Sequence, residues 1–226
     1  MATFEARVEA ITGLDIDGSS VPSQDDVTEF LKDAVNEYTN IHINARPADA
    51  EYFIRESALS DTQAALSADS GKIISVVRES GTALDYREAR QIKQGSQSRV
   101  TDESSLEFAS KFNPAYMVTD DGAVHIFPAP GANPNRYKIY YINGTPTDSS
   151  GASLLYSHSA IKYFPEDAVS IVILYTAIKC IEVKLSVQSL QEEDQELVSA
   201  LVPLLNSLKE DYKLALSSII PQRGQE

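Results

Sequence analysis

Residues that could carry chemistry are few in this 226-residue sequence, and they lie far apart. The three histidines and the only cysteine are His42, His125, His158 and Cys180. No HxxxH or CxxC spacing occurs, so a zinc site would need ligands gathered from distant parts of the chain. His125 alternates with Val124 and Ile126, and we expect it on the solvent or interface side of a strand. The sequence therefore predicts no metal site.

Motifs for phosphate binding and for nucleophilic catalysis do not occur either. We find no glycine-rich phosphate loop and no GxSxG motif. The segment LDIDGSS, residues 14–20, has acidic and glycine residues of the kind that begin a calcium loop, but we interpret it as a turn. We therefore expect that the protein is not an enzyme and has no cofactor.

The charge is strongly negative. The chain has 33 acidic and 19 basic residues, which gives a formal net charge of −14. Such a surface disfavours tight binding to nucleic-acid phosphates. It suits a protein that lies near DNA without binding it tightly, but from charge alone an ordinary acidic protein is the favoured interpretation.

Membrane insertion and secretion are not indicated. The longest apolar stretch, residues 168–183, is interrupted by polar and charged side chains and is not expected to span a bilayer. The first residues, MATFEARVEA, contain acidic groups and no apolar run, so we expect no signal peptide. A single cysteine excludes an internal disulfide framework and suits synthesis in a reducing cytoplasm.

The elements that would position any site begin with two helices. Phe4, Val8 and Ile11 recur at helical spacing, and Gly13 is placed to end that helix. Ser23 and Asp26 have the spacing of a capping box. After them, one face of a longer amphipathic helix carries Val27, Phe30, Leu31, Ala34, Val35 and Tyr38.

From residue 73 the pattern becomes that of strands. KIISVV and RYKIYYIN are rich in β-branched and aromatic residues, and we expect at least four strands between residues 73 and 143. Asp120, Asp121 and Gly122 predict the turn of a hairpin, PAYMVTDDGAVHIFPAP, which a Pro-x-Pro closes. Residues 87–105 are polar and predict a long exposed loop. Its positive patch consists of Arg87, Arg90, Lys93 and Arg99.

The C-terminal third is again helical. FPED, residues 164–167, is a favourable helix start, because a proline and two carboxylates lie in the first turn. A broad apolar face follows, with Ala168, Ile171, Val172, Tyr175, Ile178 and Val183. A last helix is predicted over residues 190–218, with Pro203 kinking or dividing it. The remaining residues are polar and are predicted to be loosely held.

These patterns predict an α+β fold. N-terminal helices and a connecting segment (1–72) and C-terminal helices with a tail (147–226) form one helical bundle, because neither apolar stripe can bury itself alone. A β-rich, antiparallel insertion with a long loop (73–146) interrupts it.

One run of residues resembles a known family. SRVTDESSLEFASKFNPAYMVTDDGAVHIFPAPG, then YKIYYI, then FPEDAVSIVILYTAIKCIEVKL is similar to head-to-tail adaptor (neck or connector) proteins of tailed bacteriophages. The shared order is an entry, a strand, a glycine turn, a Pro-x-Pro exit, a tyrosine-rich strand and a Phe-Pro-acid helix start. The entry and the first strand are marked by Arg99, Asp102, Ser105, Leu106, Asn113, Pro114 and Tyr116. The resemblance covers residues 4 to 217, except that residues 45–70 match nothing in it.

The resemblance implies a virion structural protein. In that family copies form a ring, commonly of twelve, that binds the portal at the capsid vertex and continues the DNA ejection channel into the tail. Helices pack around the ring, β elements project toward a tail-side neck, nozzle or tail-tube protein, and the C-terminal segment reaches the portal. DNA passes through the channel without specific binding.

The site residues are assigned on the same basis. Portal docking is expected at Ile219, Ile220, Pro221, Gln222 and Arg223. The tail-side or ring interface is expected at Tyr116, Asp120, Asp121, Gly122, His125, Arg87, Arg90 and Arg99. Two alternatives remain open: another neck or tail-terminator ring protein, which would not co-purify with portal, and an intracellular α+β protein-binding module, which would form no ring.

Overall fold

The computed structural model describes residues 2–68, 71–188 and 195–219. The fold is α+β, and the chain divides into two compact units at Phe53/Ile54 and at Thr145/Pro146. We call the part formed by the two ends of the chain the helical unit, and the part from Ile54 to Thr145 the β unit. The β unit thus begins earlier than the predicted boundary at residue 73.

The described ranges contain five α-helices and seven strands. The helices are α1 (Phe4–Thr12), α2 (Gln24–Ala45), α3 (Gln97–Thr101), α4 (Val169–Gln188) and α5 (Gln195–Ser217). The strands are β1 (Arg55–Glu56), β2 (Lys72–Glu79), β3 (Tyr86–Glu88), β4 (Arg90–Gln91), β5 (Ala115–Val118), β6 (Val124–Phe127) and β7 (Tyr137–Ile142).

The first helix ends, and the second begins, where the sequence predicts. Gly13 ends α1 in the left-handed conformation, with φ of 68°. At the start of α2, the Ser23 hydroxyl accepts the backbone N–H of Asp26, and the Asp26 carboxylate accepts that of Ser23. These contacts satisfy donors that the first turn of a helix leaves unpaired.

The helical unit is built around α4, which packs against α1, α2 and α5. The predicted broad burial of α4 is confirmed, because its buried residues lie on several sides of the helix. Pro203 does not divide α5, which continues through it to Ser217. The shared core includes Phe4, Val8, Leu31, Val35, Leu154, Ile173, Ile181, Leu201 and Leu208.

The larger sheet of the β unit is antiparallel, in the order β1-β7-β2-β3. A second sheet has the order β4-β5-β6, in which β5 and β6 form the predicted hairpin. The β4–β5 pair is parallel, so the unit is not wholly antiparallel as predicted. Core residues of the unit include Val76, Tyr116, Val124, Ile126, Tyr137 and Ile139.

Two polar segments have more structure than the sequence indicates. Residues 87–105 do not form one exposed loop, because they contribute to β3 and β4 and contain α3, whose Val100 is buried. The unassigned residues 45–70 contain a 3-10 helix, Pro47–Phe53, and then strand β1, which pairs with β7. Ser60 also exchanges backbone hydrogen bonds with Tyr137.

Candidate functional site

The β5–β6 hairpin presents the acidic turn that the sequence predicts as an interaction element. Gly122 lies at its tip with φ of 80°, a conformation that glycine adopts without strain. The Asp121 carboxylate accepts the Thr119 hydroxyl and, at 3.1 Å, the backbone N–H of Ala123. These bonds, with the Thr119 hydroxyl contributing most, lower the pKa of Asp121. The neighbouring Asp120 is exposed, so the tip is an acidic knob.

The Pro-x-Pro exit of the hairpin is held from inside the unit by Arg78. This side chain is only 3% exposed, at the end of β2. Its Nε donates to the carbonyl of Pro128 at 3.0 Å and its Nη2 to that of Ala129 at 3.1 Å. Its Nη1 donates to the carbonyl of Glu79 at 2.7 Å. One buried guanidinium therefore donates to three backbone carbonyls and fixes the exit against β2.

A buried ion pair lies beside that contact. The side chain of Glu79 is fully buried, and Arg136 Nη2 is 3.0 Å from its Oε1. Arg136 also donates to Oε2 from Nε, at 3.2 Å, and from its backbone N–H, at 2.9 Å. The hydrogen bonds from the Arg136 side chain lower the pKa of Glu79, against the effect of burial. The carboxylate is therefore ionised inside the unit at neutral pH.

The predicted positive patch is partly neutralised by its own neighbours. Arg87 pairs with Asp85 at 3.2 Å, and Arg99 pairs with Glu107 at 3.4 Å. Arg90 donates to the backbone carbonyl of Glu107 and is only half exposed. Each of these three arginines therefore has a partner nearby in the sequence, although the side chains of Arg87 and Arg99 remain exposed.

The two strand residues predicted for the interface, Tyr116 and His125, differ in exposure. Tyr116 is 6% exposed and belongs to the core of the unit, so the placement of its side chain at an interface is corrected. Burial raises the pKa of its hydroxyl. His125 lies opposite Met117 in the hairpin and is more exposed than Val124 and Ile126, as the alternation predicts.

Three large apolar side chains of the β unit are mostly exposed. Leu106 is fully exposed, Leu84 is largely exposed, and Phe112 is 61% exposed. The side chain of Lys111, next to Phe112, reaches the turn that carries Leu84, because a Cβ built on Gly81 would meet Lys111 Nζ at 3.4 Å. Sequence reasoning missed Leu84 and Phe112, whose segments read as polar turns. Single exposed apolar side chains are common on folded proteins, so these three residues mark candidate contact points and not a continuous apolar patch.

The predicted portal-docking residues lie at the end of the described chain. Ile219 follows α5 and is half buried, and its backbone N–H donates to the carbonyl of Leu216 at 3.0 Å. Ile220, Pro221, Gln222 and Arg223 lie outside the described residues.

Within the described ranges, no group of three or more His, Cys, Asp or Glu side chains is placed to hold a metal ion. Over the same ranges, no helix has the length and apolar character needed to cross a membrane.

No protein-family model matches the sequence, and no curated protein matches it. The function must therefore be argued from the residues themselves.

Proposed function

We propose that this protein is a virion structural protein that forms a ring between the portal of a tailed bacteriophage and its tail. The observation that carries the proposal is the fold of the adaptor-like run. Its entry, hairpin, Pro-x-Pro exit and tyrosine-rich strand all lie within one compact β unit, Ile54–Thr145. The helix start that closes the run belongs to a helical unit made from both ends of the chain.

The ring, of twelve copies by the resemblance, continues the DNA channel from the portal into the tail. The protein acts by binding and not by catalysis. Its net charge of −14 suits this role, because an acidic wall repels DNA phosphates and lets the packaged genome slide past.

The β unit supplies the contacts with the tail-side partner or with the neighbouring copy. Its acidic knob and its exposed Leu84, Leu106 and Phe112 offer charge and apolar area for an interface. Arg78 holds the base of the hairpin against β2. A contact surface on such a support loses little conformational freedom when it binds.

The proposal is tested by co-expression with the portal protein of the same phage. We expect rings in negative-stain images and co-sedimentation with portal. The double variant Leu106→Asp, Phe112→Asp should abolish ring formation or binding of the tail-side protein. The control Leu214→Asp changes a residue on α5 that is similarly exposed, 67%, and should leave both intact.

Two outcomes of this co-expression would contradict the proposal. Rings that never bind portal would indicate a tail terminator or another neck component. A monomer that binds neither itself nor portal would indicate a protein-binding module of another kind.

Removal of residues 217–226 should abolish portal binding while the helical content is retained. Full binding by that truncated chain would move the portal contact to the β unit.

A further inference from the structure

A groove lies in the helical unit at the end where α4 begins. Its volume is about 660 Å³, within the range of sites that bind small molecules or peptide side chains. Much of its lining is apolar, from Ala160, Ile161, Phe164 and Val169. Arg7 and Glu166 add two opposite charges to it.

The walls of the groove are fixed by backbone hydrogen bonds. The N–H groups of Phe4 and Glu5 donate to the carbonyls of His158 and Tyr156, at 2.8 and 3.1 Å. These bonds hold the first turn of α1, and with it Arg7, against the segment that leads to α4. The groove is therefore formed before any ligand arrives.

The two charges of the groove are open to a ligand. Within the part of the chain that the structure describes, the side chains of Arg7 and Glu166 make no ion pair and no hydrogen bond. A segment with apolar residues followed by one positive and one negative side chain would complement this lining.

The end of α5 arrives at the same end of the helical unit. Helices α4 and α5 are antiparallel, because Tyr175 stacks near Tyr212, with ring centroids 5.9 Å apart, and Glu182 pairs with Lys209 at 2.9 Å. Seven residues beyond Tyr212, about 10 Å along a helix, the chain reaches Ile219. Seven residues before Tyr175, the chain is next to Val169, at the start of α4, and Val169 lines the groove.

The chain that follows is long enough to enter the groove. Residues 220–226 span up to about 23 Å when extended. A helix with its side chains is about 10–12 Å across, so this segment can pass around the start of α4.

We propose that the groove binds the segment that follows α5 in the same chain, residues 220–226. Ile220 fills the apolar part. Arg223 pairs with Glu166, and Glu226 pairs with Arg7. The occupant is thus a peptide of apolar, basic and acidic residues supplied in cis.

This inference does not depend on the adaptor function, because it concerns the isolated chain. If both proposals hold, the segment assigned to portal docking lies in the groove of its own chain when the protein is free. Portal must then displace it from the groove, which links portal binding to a change at this end of the helical unit.

The test is disulfide formation in the full chain between Ser159→Cys, in the groove lining, and Gln222→Cys. The native Cys180 does not interfere, since it is fully buried and burial raises the pKa of its thiol to about 12. The matched control pairs Gln222→Cys with Ser170→Cys, which is exposed at the same end of α4 but does not line the groove. Under mild oxidation the groove pair should form an intramolecular bond about tenfold faster than the control pair.

Charge reversal then tests the pairing. Arg7→Glu with Glu166→Arg should slow disulfide formation about tenfold, and adding Arg223→Glu with Glu226→Arg should restore the rate. Thermal melting checks that each variant is folded, and Ala160→Cys replaces Ser159→Cys if the latter is unstable.

Any of the following three results would overturn the inference. Equal rates for the groove and control pairs would mean that the segment does not occupy the groove. A disulfide that forms only between two molecules would make a second copy the occupant. A charge reversal that changes nothing, or that is not restored by the second reversal, would remove the proposed pairing.

Discussion

The helical unit and the β unit bury different kinds of side chain. The core of the helical unit consists of apolar residues on helix stripes, with Leu31, Ile181 and Leu201 as examples. Its buried polar side chains include His42 and Asp148, at 8% and 9% exposure. The β unit also has an apolar core, but it buries the ionic side chains of Arg78, Glu79 and Lys138 as well, and Glu79 is fully buried.

The difference shows how each unit obtains a defined shape. Apolar contacts are non-directional, so the helical unit is specified by the spacing and volume of its stripes. A buried charge requires partners at defined positions, and removal of one partner leaves another without compensation. The β unit is therefore the part in which a single polar side chain fixes the path of the backbone.

The largest loss of stability is expected for Leu201→Asp in the helical unit. Leu201 is 6% exposed and belongs to the core that α4 and α5 share. A carboxylate there has no partner, and we expect the free energy of unfolding to fall by about 4 kcal/mol. Urea unfolding followed by circular dichroism at 222 nm measures this change.

The next residue provides the control for that change. Val202 is 42% exposed on the same helix, so Val202→Asp should alter stability by less than about 0.5 kcal/mol. Equal effects of the two substitutions would mean that α5 does not face the core as described.

A loss of about 3 kcal/mol is expected for Arg78→Met in the β unit, because it removes the three hydrogen bonds that a buried guanidinium donates to backbone carbonyls. Methionine fills much of the space, so the effect reports the hydrogen bonds more than a cavity. Hydrogen exchange should accelerate most at the amides of β2 and at the segment after β6. Arg87→Met removes an exposed arginine paired with Asp85 and should cost less than about 1 kcal/mol.

The sequence predicts the helical unit better than the β unit for a physical reason. Helix stripes and capping residues are local signals, and Ser23 with Asp26 marks the start of α2 correctly. The Asp-Gly turn of the β5–β6 hairpin is a local signal as well. Each of these elements is encoded within a few residues of itself.

The missed features depend on contacts between distant residues. Strands β1 and β4 have two residues each and pair through the backbone, so they carry no side-chain periodicity. Arg78 follows an apolar strand and reads as its exposed end, although it binds carbonyls 50 residues away. Lys138 is buried because Glu56 lies 2.6 Å from its Nζ and the Tyr86 ring lies beneath it. Such partners become neighbours only in the folded chain.

A pH dependence of stability should arise from Glu79. Its folded-state pKa lies below the ordinary value of 4.5, so the contribution is fully present above that value and is lost as the pH falls through the folded pKa. Glu79→Gln removes the titration. The thermal midpoint of wild type should therefore decrease more than that of the variant between about pH 5 and about pH 3. Parallel curves would show that the Arg136 pair adds nothing in solution.

The smallest effect is expected at the hairpin tip, with Gly122→Val. Nothing lies within 4 Å of a Cβ built at Gly122, so a side chain meets no neighbour there. The cost comes from the backbone alone, because a β-branched residue at φ of 80° is strained. We expect a loss of about 1 kcal/mol or more in urea unfolding and faster exchange of the Ala123 amide.

Gly122→Asn separates backbone strain from any other cause. Asparagine adopts the left-handed conformation far more readily than valine, and both would project into open space. Asparagine should therefore keep most of the stability, while valine weakens the turn and the binding of the tail-side partner. Equal losses would mean that the tip does not hold a left-handed residue in solution. Unchanged partner binding by a destabilised valine variant would place the contact away from the hairpin, at Leu84, Leu106 and Phe112.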